Sequence, residues 1–322
     1  MGKIRVAVLR GGPSAEYDIS LLTGENVLKH LPAEKYQTHD ILISKDGLWH
    51  MDGFPSTPVK ILSRVDAVFN AMHGEYGEDG KVQQVLEPFN VPYTGSGILA
   101  CAMAMHKGIA KDVFEKAGLK TVRGMTIEKV TGLTDLEKKA KEIRDALFSP
   151  WVVKPASRGS SVGVTIAKNT PELIGGLNKA FKYDKAALVE EFIKGREATA
   201  GILENFRGEK YYALPVIEII PPPGRFFDYE VKYNGATREL CPSHFDLATS
   251  RQIQHMAIMA HRVLNLRHYS RSDFMVSKKG IYILETNALP YLSLDASFVR
   301  AAEAIGLNFP NLLEHLISLT RS

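Results

Sequence analysis

The alternation of apolar and polar positions changes period several times along the chain, and each change predicts an element. Ile4 to Leu9 (IRVAVL) is a nearly unbroken apolar run, followed by the glycine turn Arg10 to Glu16 and an amphipathic run from Ile19 to Leu31. Strand, glycine turn, helix is the opening of a parallel α/β sheet, whose strands are apolar on both faces because helices cover them. The pattern returns at Asp66 to Met72 (DAVFNAM), the loop His73 to Gly80 and the helical stretch Lys81 to Leu86. Ligands of such sheets bind at strand ends, where turn amides converge, so both loops are predicted to face one edge. Val91 to Gly97 is rich in turn residues and predicts a first domain over 1–97. Ile98 to Lys116 then reads as one helix, with Gly118 as its stop.

A second region, 98–185, is predicted to hold a strand within Leu119 to Ile127 and a helix from Asp135 to Leu147. Thr134 and Glu137 have capping-box spacing at its start, and Ser149-Pro150 breaks it. Trp151 to Ile166 reads as strand, small-residue loop, strand. Such a loop can fold its amides and hydroxyls over phosphates, with Lys154 as a point charge, although taken alone it is more often a flexible hairpin than a nucleotide lid, and it lacks Walker order. A helix from Thr170 to about Lys182 leads into the third region, 186–322. There Ala186 to Ile193, Ala198 to Leu203, Lys210 to Leu214 and Pro215 to Ile220 read as strands. Pro221 to Gly235 is a long aromatic loop of the kind that covers a site. A helix from Ala248 to Leu264 precedes the hairpin Tyr269 to Asn287, and short helices over 297–304 and 311–319 end the chain.

The hairpin carries chemistry. Asp273 to Val276 and Ile281 to Leu284 flank the polar turn Ser277-Lys278-Lys279-Gly280, so pairing sets Arg271 and Asp273 opposite Glu285 and Asn287. Asp, Glu and Asn offer oxygens only, which suits Mg²⁺ holding a polyphosphate, and Arg271 would neutralise further charge. Taken alone, the segment fits an edge hairpin with solvated charges as well. His73 reads either as a substrate or proton-relay group or as a histidine holding its own turn.

Composition narrows the class. At 322 residues, 45% hydrophobic and 24% charged, the chain is long enough for two or three globular domains. Its net charge of +4 is small, with Lys and Arg spread out, which argues against a nucleic-acid partner. Cys101 and Cys241 lack metal or disulfide spacing, and there is no signal-like or membrane-length apolar run. These features predict a cytoplasmic enzyme without a membrane partner.

The motifs now stand together in order. They are Gly11-Gly12-x-Ser14-x-Glu16 with Ser20, His73-Gly74 with Gly77-Glu78-Asp79-Gly80, Pro92 to Gly97, Lys154-Pro155 with Gly159 to Gly163, and Glu190-Glu191-Phe192 with Glu197. Phe227-Asp228-Tyr229-Glu230-x-Lys232-Tyr233, Cys241-Pro242 and Glu285-x-Asn287 follow. Over essentially its full length the chain resembles the D-alanine:D-alanine ligases of the ATP-grasp group. The resemblance implies an α/β fold of three domains, becoming α+β in the C-terminal part, with ATP gripped between the second and third. It further implies that Lys107, Lys154, Ser161 and Lys232 contact phosphates, that adenine meets Glu190, Glu191, Phe192 and Ile193, and that Glu197 takes the ribose. Asp273, Glu285 and Asn287 would hold one or two Mg²⁺ ions, with Mn²⁺ as a substitute. Glu16 would bind the first amino acid's ammonium near His73, Glu16, Ser160 and Tyr233 would form a hydrogen-bonded trio, and Arg271 would support the oxyanion. D-Alanine or a similar amino acid is the implied substrate, peptidoglycan precursor synthesis the implied role and a homodimer the implied assembly.

One segment departs from the pattern. Where the family usually has Pro-Gly-Met and then His-Ser-Leu, this chain has Pro290-Tyr291-Leu292 and Asp295-Ala296-Ser297. The oxyanion glycine is Tyr291, which predicts a rebuilt turn because positive φ is costly for tyrosine. The acceptor serine is Ala296, leaving Ser293 and Ser297 as substitutes, and Asp295 adds negative charge. His106 replaces a usual aspartate and Ser272 a usual apolar residue. Three readings stay open: a D-alanine:D-alanine ligase with a remodelled acceptor pocket, a related ligase with another acceptor, and a nucleotide-binding protein without turnover.

Overall fold

The computed structural model describes residues 2–159, 162–222 and 237–321. Its first sheet is built by β1 (Ile4–Gly11), β2 (Tyr36–Ile43), β3 (Trp49–Met51), β4 (Phe54–Pro55) and β5 (Ala67–Asn70), in the order β4-β3-β2-β1-β5. β1 is central and parallel to β2 and β5, as its unbroken apolar run requires. α1 (Tyr17–His30) packs so closely on it that a Cβ on Gly24 would lie 2.5 Å from Arg10 Cβ. α2 (Pro58–Leu62) and α3 (Lys81–Leu86) complete this unit. The amphipathic run begins two residues before its predicted start, and β2 to β4 are elements that the apolar pattern did not single out.

Ile98 to Lys116 is two helices, not one: α4 (Ile98–Met105) and α5 (Lys107–Lys116). His106 separates them in an extended conformation, and its side chain caps α5 by accepting a hydrogen bond from Ile109 N at 3.2 Å. The break frees Lys107 N to donate to Ala156 O at 2.8 Å, which ties the start of α5 to the next sheet.

That second sheet consists of β6 (Gly124–Glu128), β7 (Trp151–Pro155), β8 (Thr165–Ala167) and β9 (Ala186–Glu191) in the antiparallel order β6-β9-β7-β8. α6 (Leu133–Ala146) and α7 (Thr170–Ala180) cover one face and close a separate core around Leu136, Val153, Leu177 and Val189. The expected capping box is not made: Gly132 is the N-cap of α6, so Thr134 falls inside the helix.

The third sheet contains β10 (Arg196–Phe206), β11 (Glu209–Ala213), β12 (Ile217–Ile220), β13 (Arg238–Leu240), β14 (Tyr269–Ser277) and β15 (Gly280–Asn287). Its order is β13-β12-β10-β14-β15, with β11 also on β10. α8 (Leu247–Val263), α9 (Ser297–Glu303) and α10 (Phe309–Leu319) pack around it. One apolar core runs from β1 and α1, through Val8 and Val27, into Tyr269, Phe298 and Leu313. The first and third sheets therefore share an interior. Among the described residues no helix is long and apolar enough to cross a membrane.

His268 joins these two parts. Its buried Nδ1 accepts from Gly95 N at 3.0 Å, while Arg267 Nε donates to Gly95 O at 2.8 Å. Burial, then the charge of Arg267, pulls the imidazole from 6.5 down to about 4. A histidine with a lowered folded pKa contributes stability that is complete above pH 6.5 and is lost as pH falls toward 4. His268 also has φ 68°, a conformation that asparagine tolerates. We expect wild type to lose roughly 2 kcal/mol more than His268→Asn between pH 7.5 and 4.5 in urea unfolding; parallel curves would refute the assignment.

Candidate active site

Ends of all three sheets converge on a cavity of about 600 Å³. From the first sheet come the turn after β1 and the loop after β5. Gly11 and Gly12 take φ of 85° and 103°, and a Cβ on Gly11 would lie 2.3 Å from Ile43 O, so the turn needs glycine. Ser20 Oγ accepts from Gly11 N at 2.8 Å and donates to Ala71 O at 3.2 Å, locking the two loops together. Glu16 and His73 both line the cavity.

Glu78 fixes the histidine. Its carboxylate accepts from His73 Nδ1 at 3.1 Å and from Gly74 N at 3.0 Å, which leaves Nε2 to accept from the Thr23 hydroxyl at 2.8 Å. Both ring nitrogens are engaged, so the structure shows a histidine that holds its own loop while its ring meets Tyr291 edge-on at 5.7 Å. Glu16 meets the loop between β7 and β8: a Cβ on Gly159 would stand 2.6 Å from its Oε1. Ser160, Ser161, Lys232 and Tyr233 lie outside the described residues, as does most of the aromatic loop. Arg158, beside Gly159, pairs with Glu75 of the first unit.

The lysines sit deeper. Lys154, on β7, is paired with Glu190 of β9 at 2.7 Å, and Lys111, on α5, reaches the same carboxylate at 3.1 Å. Burial opposes the charge on Lys154, but Glu190 and then Glu285 outweigh it and raise its pKa. Burial likewise opposes charge on Glu190, whose pKa Lys154 and Lys111 nevertheless lower. Lys107 donates to Arg158 O at 2.6 Å and pairs with Glu285 at 3.2 Å.

The hairpin has the predicted pairing. Arg271 lies opposite Asn287 and Asp273 opposite Glu285. Beyond them Phe274 pairs with Ile283, so Leu284 is an extra, bulged residue that restores the alternation. Arg271 donates two bonds of 3.0 Å to Asp273, whose Oδ1 also accepts from Thr199 at 2.7 Å. Burial disfavours the guanidinium charge, but Asp273 more than compensates and raises its pKa.

The oxygen-only donor set of Asp273, Glu285 and Asn287 fits Mg²⁺. All three line the cavity, and Asn287 keeps a buried Nδ2 without a hydrogen-bond partner, so turning its amide oxygen toward a ligand sacrifices no bond of that nitrogen. No group of three or more His, Cys, Asp or Glu forms a metal cluster among the described residues. The set is two carboxylates and an amide, with Arg271 and Lys107 balancing the carboxylates.

Glu197, Tyr291 and Ser297 also line the cavity. Tyr291 is not at positive φ, so its backbone carries no left-handed strain. Ser297 Oγ donates to Glu239 at 3.0 Å, and Ser293 donates to Asp295. Glu190, Glu191, Phe192 and Ile193 are not among the lining residues. Glu190 is the buried counter-charge, Glu191 accepts from Phe148 N at 3.1 Å, and the Phe192 side chain is exposed. Sequence reasoning missed Lys111, Thr199 and the Arg158–Glu75 pair. The first two had a signal in spacing: Lys111 is one helical turn from Lys107, and Thr199 follows Glu197 on one strand face.

Family models described as "D-ala D-ala ligase C-terminus" and "D-ala D-ala ligase N-terminus" match residues 113–318 and residues 5–62 and 52–96, respectively. The chain belongs to the D-alanine–D-alanine ligase family. It is 37% identical to the D-alanine–D-alanine ligase of Syntrophobacter fumaroxidans, covering 98% of this chain and 97% of that one. The corresponding ligase of Desulfotalea psychrophila is 38% identical over 98% of this chain and 95% of its own length. Among solved structures, the VanG D-Ala:D-Ser ligase from Enterococcus faecalis superposes with a TM-score of 0.85 at 28% identity, covering 99% of this chain and 100% of that chain. The Bacillus anthracis D-alanine–D-alanine ligase complexed with ATP gives 0.80 at 29%, covering 100% and 98%. These matches identify the fold as ATP-grasp and the chain as an ATP-dependent carboxylate–amine ligase.

The buried ion set gives a prediction. Glu190 contributes stability above its unfolded value of 4.5 and loses it as pH falls through its lowered folded value. Lys154 contributes below 10.5 and loses it as pH rises through its raised one. Glu190→Gln leaves two lysines without their buried counter-charge and is expected to cost about 3 kcal/mol in urea unfolding at pH 7. A loss below about 1 kcal/mol would show that the carboxylate is dispensable.

Proposed function

We propose that this ligase joins two D-alanines at the expense of ATP, supplying D-alanyl-D-alanine for peptidoglycan precursors. What carries the reading is the Arg271–Asp273 and Glu285–Asn287 row standing with Lys107 and Lys154 in a cavity that Glu16 reaches from the first sheet. In the first step a D-alanine carboxylate attacks the γ-phosphate of ATP, giving an acyl phosphate and ADP. The amine of the second D-alanine then attacks the acyl carbon, and phosphate leaves with the bonding electrons.

Phosphoryl transfer spreads negative charge over oxygens, so the protein's task is positioning and neutralisation. Lys107 and Lys154 do this as cations that carboxylates already hold in place. Glu16 receives the ammonium of the first D-alanine, and His73, fixed by Glu78 and Thr23, shapes the wall beside it. Arg271 stays charged and aimed because Asp273 accepts from Nε and Nη2 along one edge of the guanidinium, which leaves Nη1 to take the developing oxyanion without reorganising. Asp273, Glu285 and Asn287 would hold Mg²⁺, for which Mn²⁺ can substitute, one or two ions supplying charge neutralisation of the phosphates.

Adenine is assigned to the strand end Glu190, Glu191, Phe192 and Ile193 and the ribose to Glu197. Lys232, Ser161 and the trio of Glu16, Ser160 and Tyr233 are assigned to the cover over the phosphates. The domain division at 97 and a homodimeric assembly belong to the same reading, whereas the division expected at 185 would cut β9 from its partners β6 and β7, so the second unit is drawn to Glu191.

ATP, Mg²⁺ and D-alanine should yield phosphate and D-alanyl-D-alanine by mass spectrometry. Asp273→Ala and Glu285→Ala should each lower ATP turnover by about 100-fold or more. Near-normal rates in both variants would remove the metal assignment, and phosphate release that makes dipeptide only with another amine would replace the second substrate.

A further inference from the structure

In the departing segment, Ala296 has no side-chain group to offer an acceptor, yet the cavity wall around it is charged. Arg300 lies one helical turn further along α9 and donates its backbone N–H to Ala296 O at 2.9 Å. Ala296 is the N-cap of α9 and Arg300 stands in the turn that it opens, so the two line one stretch of the same cavity wall. Arg300 lines the cavity, as do Glu239, Asp295 and Ser297.

Its charge is also the least committed of the lining cations among the described residues. Lys154 is 2.7 Å from Glu190, Arg271 is 3.0 Å from Asp273 and Lys107 is 3.2 Å from Glu285, and Arg158 is paired with Glu75. Arg300 approaches Glu239 only to 4.0 Å, and its side chain is 45% exposed. Glu239 is steadied by the Ser297 hydroxyl at 3.0 Å, so it can orient the guanidinium without occupying its whole fork of donors. Asp295 stands on the same wall and would repel a carboxylate unless a cation faced it.

We propose that Arg300, oriented by Glu239, receives the α-carboxylate of the acceptor amino acid, doing as a charged fork what a serine hydroxyl cannot do at Ala296. The assignment rests on the ligase reading. It restricts the acceptor to amino acids with a free carboxylate, because an amide brings no negative charge to the donors that Glu239 leaves unused.

The test separates the two ideas. With ATP, Mg²⁺, D-alanine and hydroxylamine, trapping of D-alanyl hydroxamate reports the first half-reaction, and its absence would sink the ligase reading itself. Given trapping, D-alanine and D-alaninamide are compared as acceptors by mass spectrometry of the product. Wild type should prefer D-alanine by about ten-fold or more. Arg300→Ala should raise the acceptor KM by roughly 10- to 100-fold with little change in the donor KM and bring the two acceptors to within about twofold. Arg300→Lys should restore most of the preference, and Arg300→Gln, which keeps a polar stem, should not. An unchanged acceptor KM and preference in Arg300→Ala and Arg300→Gln, or equal rises in both KM values without rescue by lysine, would overturn the assignment.

Discussion

The pairing register of β14 and β15 is the constraint on which the site depends. A strand's side chains alternate between faces, so a slip of one residue would turn Asp273 or Glu285 away from the cavity and into the interior. The register is held at one end by the short turn between Ser277 and Gly280 and along its length by Phe274 and Ile283 in the core between the sheet and α8. Leu284 absorbs the odd residue, and only with that bulge do the turn and the charged row both fit. The electrostatics of the cavity therefore rest on apolar packing and turn geometry.

Around that row the structure neutralises charge before any ligand arrives. Arg271 holds Asp273, Lys107 holds Glu285, and Glu190 holds Lys154 and Lys111. A polyphosphate entering such a site meets cations whose desolvation is already offset by carboxylates, and the exchange of partners replaces one set of strong pairs with another. Polar groups kept in this way are pre-oriented, which suits a reaction in which charge moves but few protein atoms need to.

Much of this was legible in the sequence. The β1 turn, the hairpin and the motif row at Glu285-x-Asn287 follow from local period and turn chemistry, and the structure brings Glu16, His73, Arg271 and Asp273 to one cavity. What was illegible depended on partners distant in the chain. The break at His106 is invisible in the apolar pattern of Ile98 to Lys116, because the bond that goes with it, from Lys107 N to Ala156 O, is made 49 residues on, just past β7. Thr134 and Glu137 have the right spacing for a cap, but α6 begins at Leu133 and takes them into its first turns. Glu190 was read as a ligand group from its motif, and its burial between two lysines became visible only once β7, β9 and α5 were assembled.

The separate core of the second sheet has a mechanical meaning. The first and third sheets share one apolar interior, whereas β6 to β9, α6 and α7 enclose their own. The cavity is bounded by these two sheets and by the smaller unit, joined to them by polar bonds: those of Lys107 to Ala156 and Arg158, the buried Lys111–Glu190 pair and the Arg158–Glu75 pair. The Arg158–Glu75 pair is partly exposed, so water can take it over as it parts, whereas separating the first and third sheets would expose buried Val8, Val27, Tyr269 and Phe298. Moving the second unit as a body therefore costs less apolar exposure than parting the first sheet from the third.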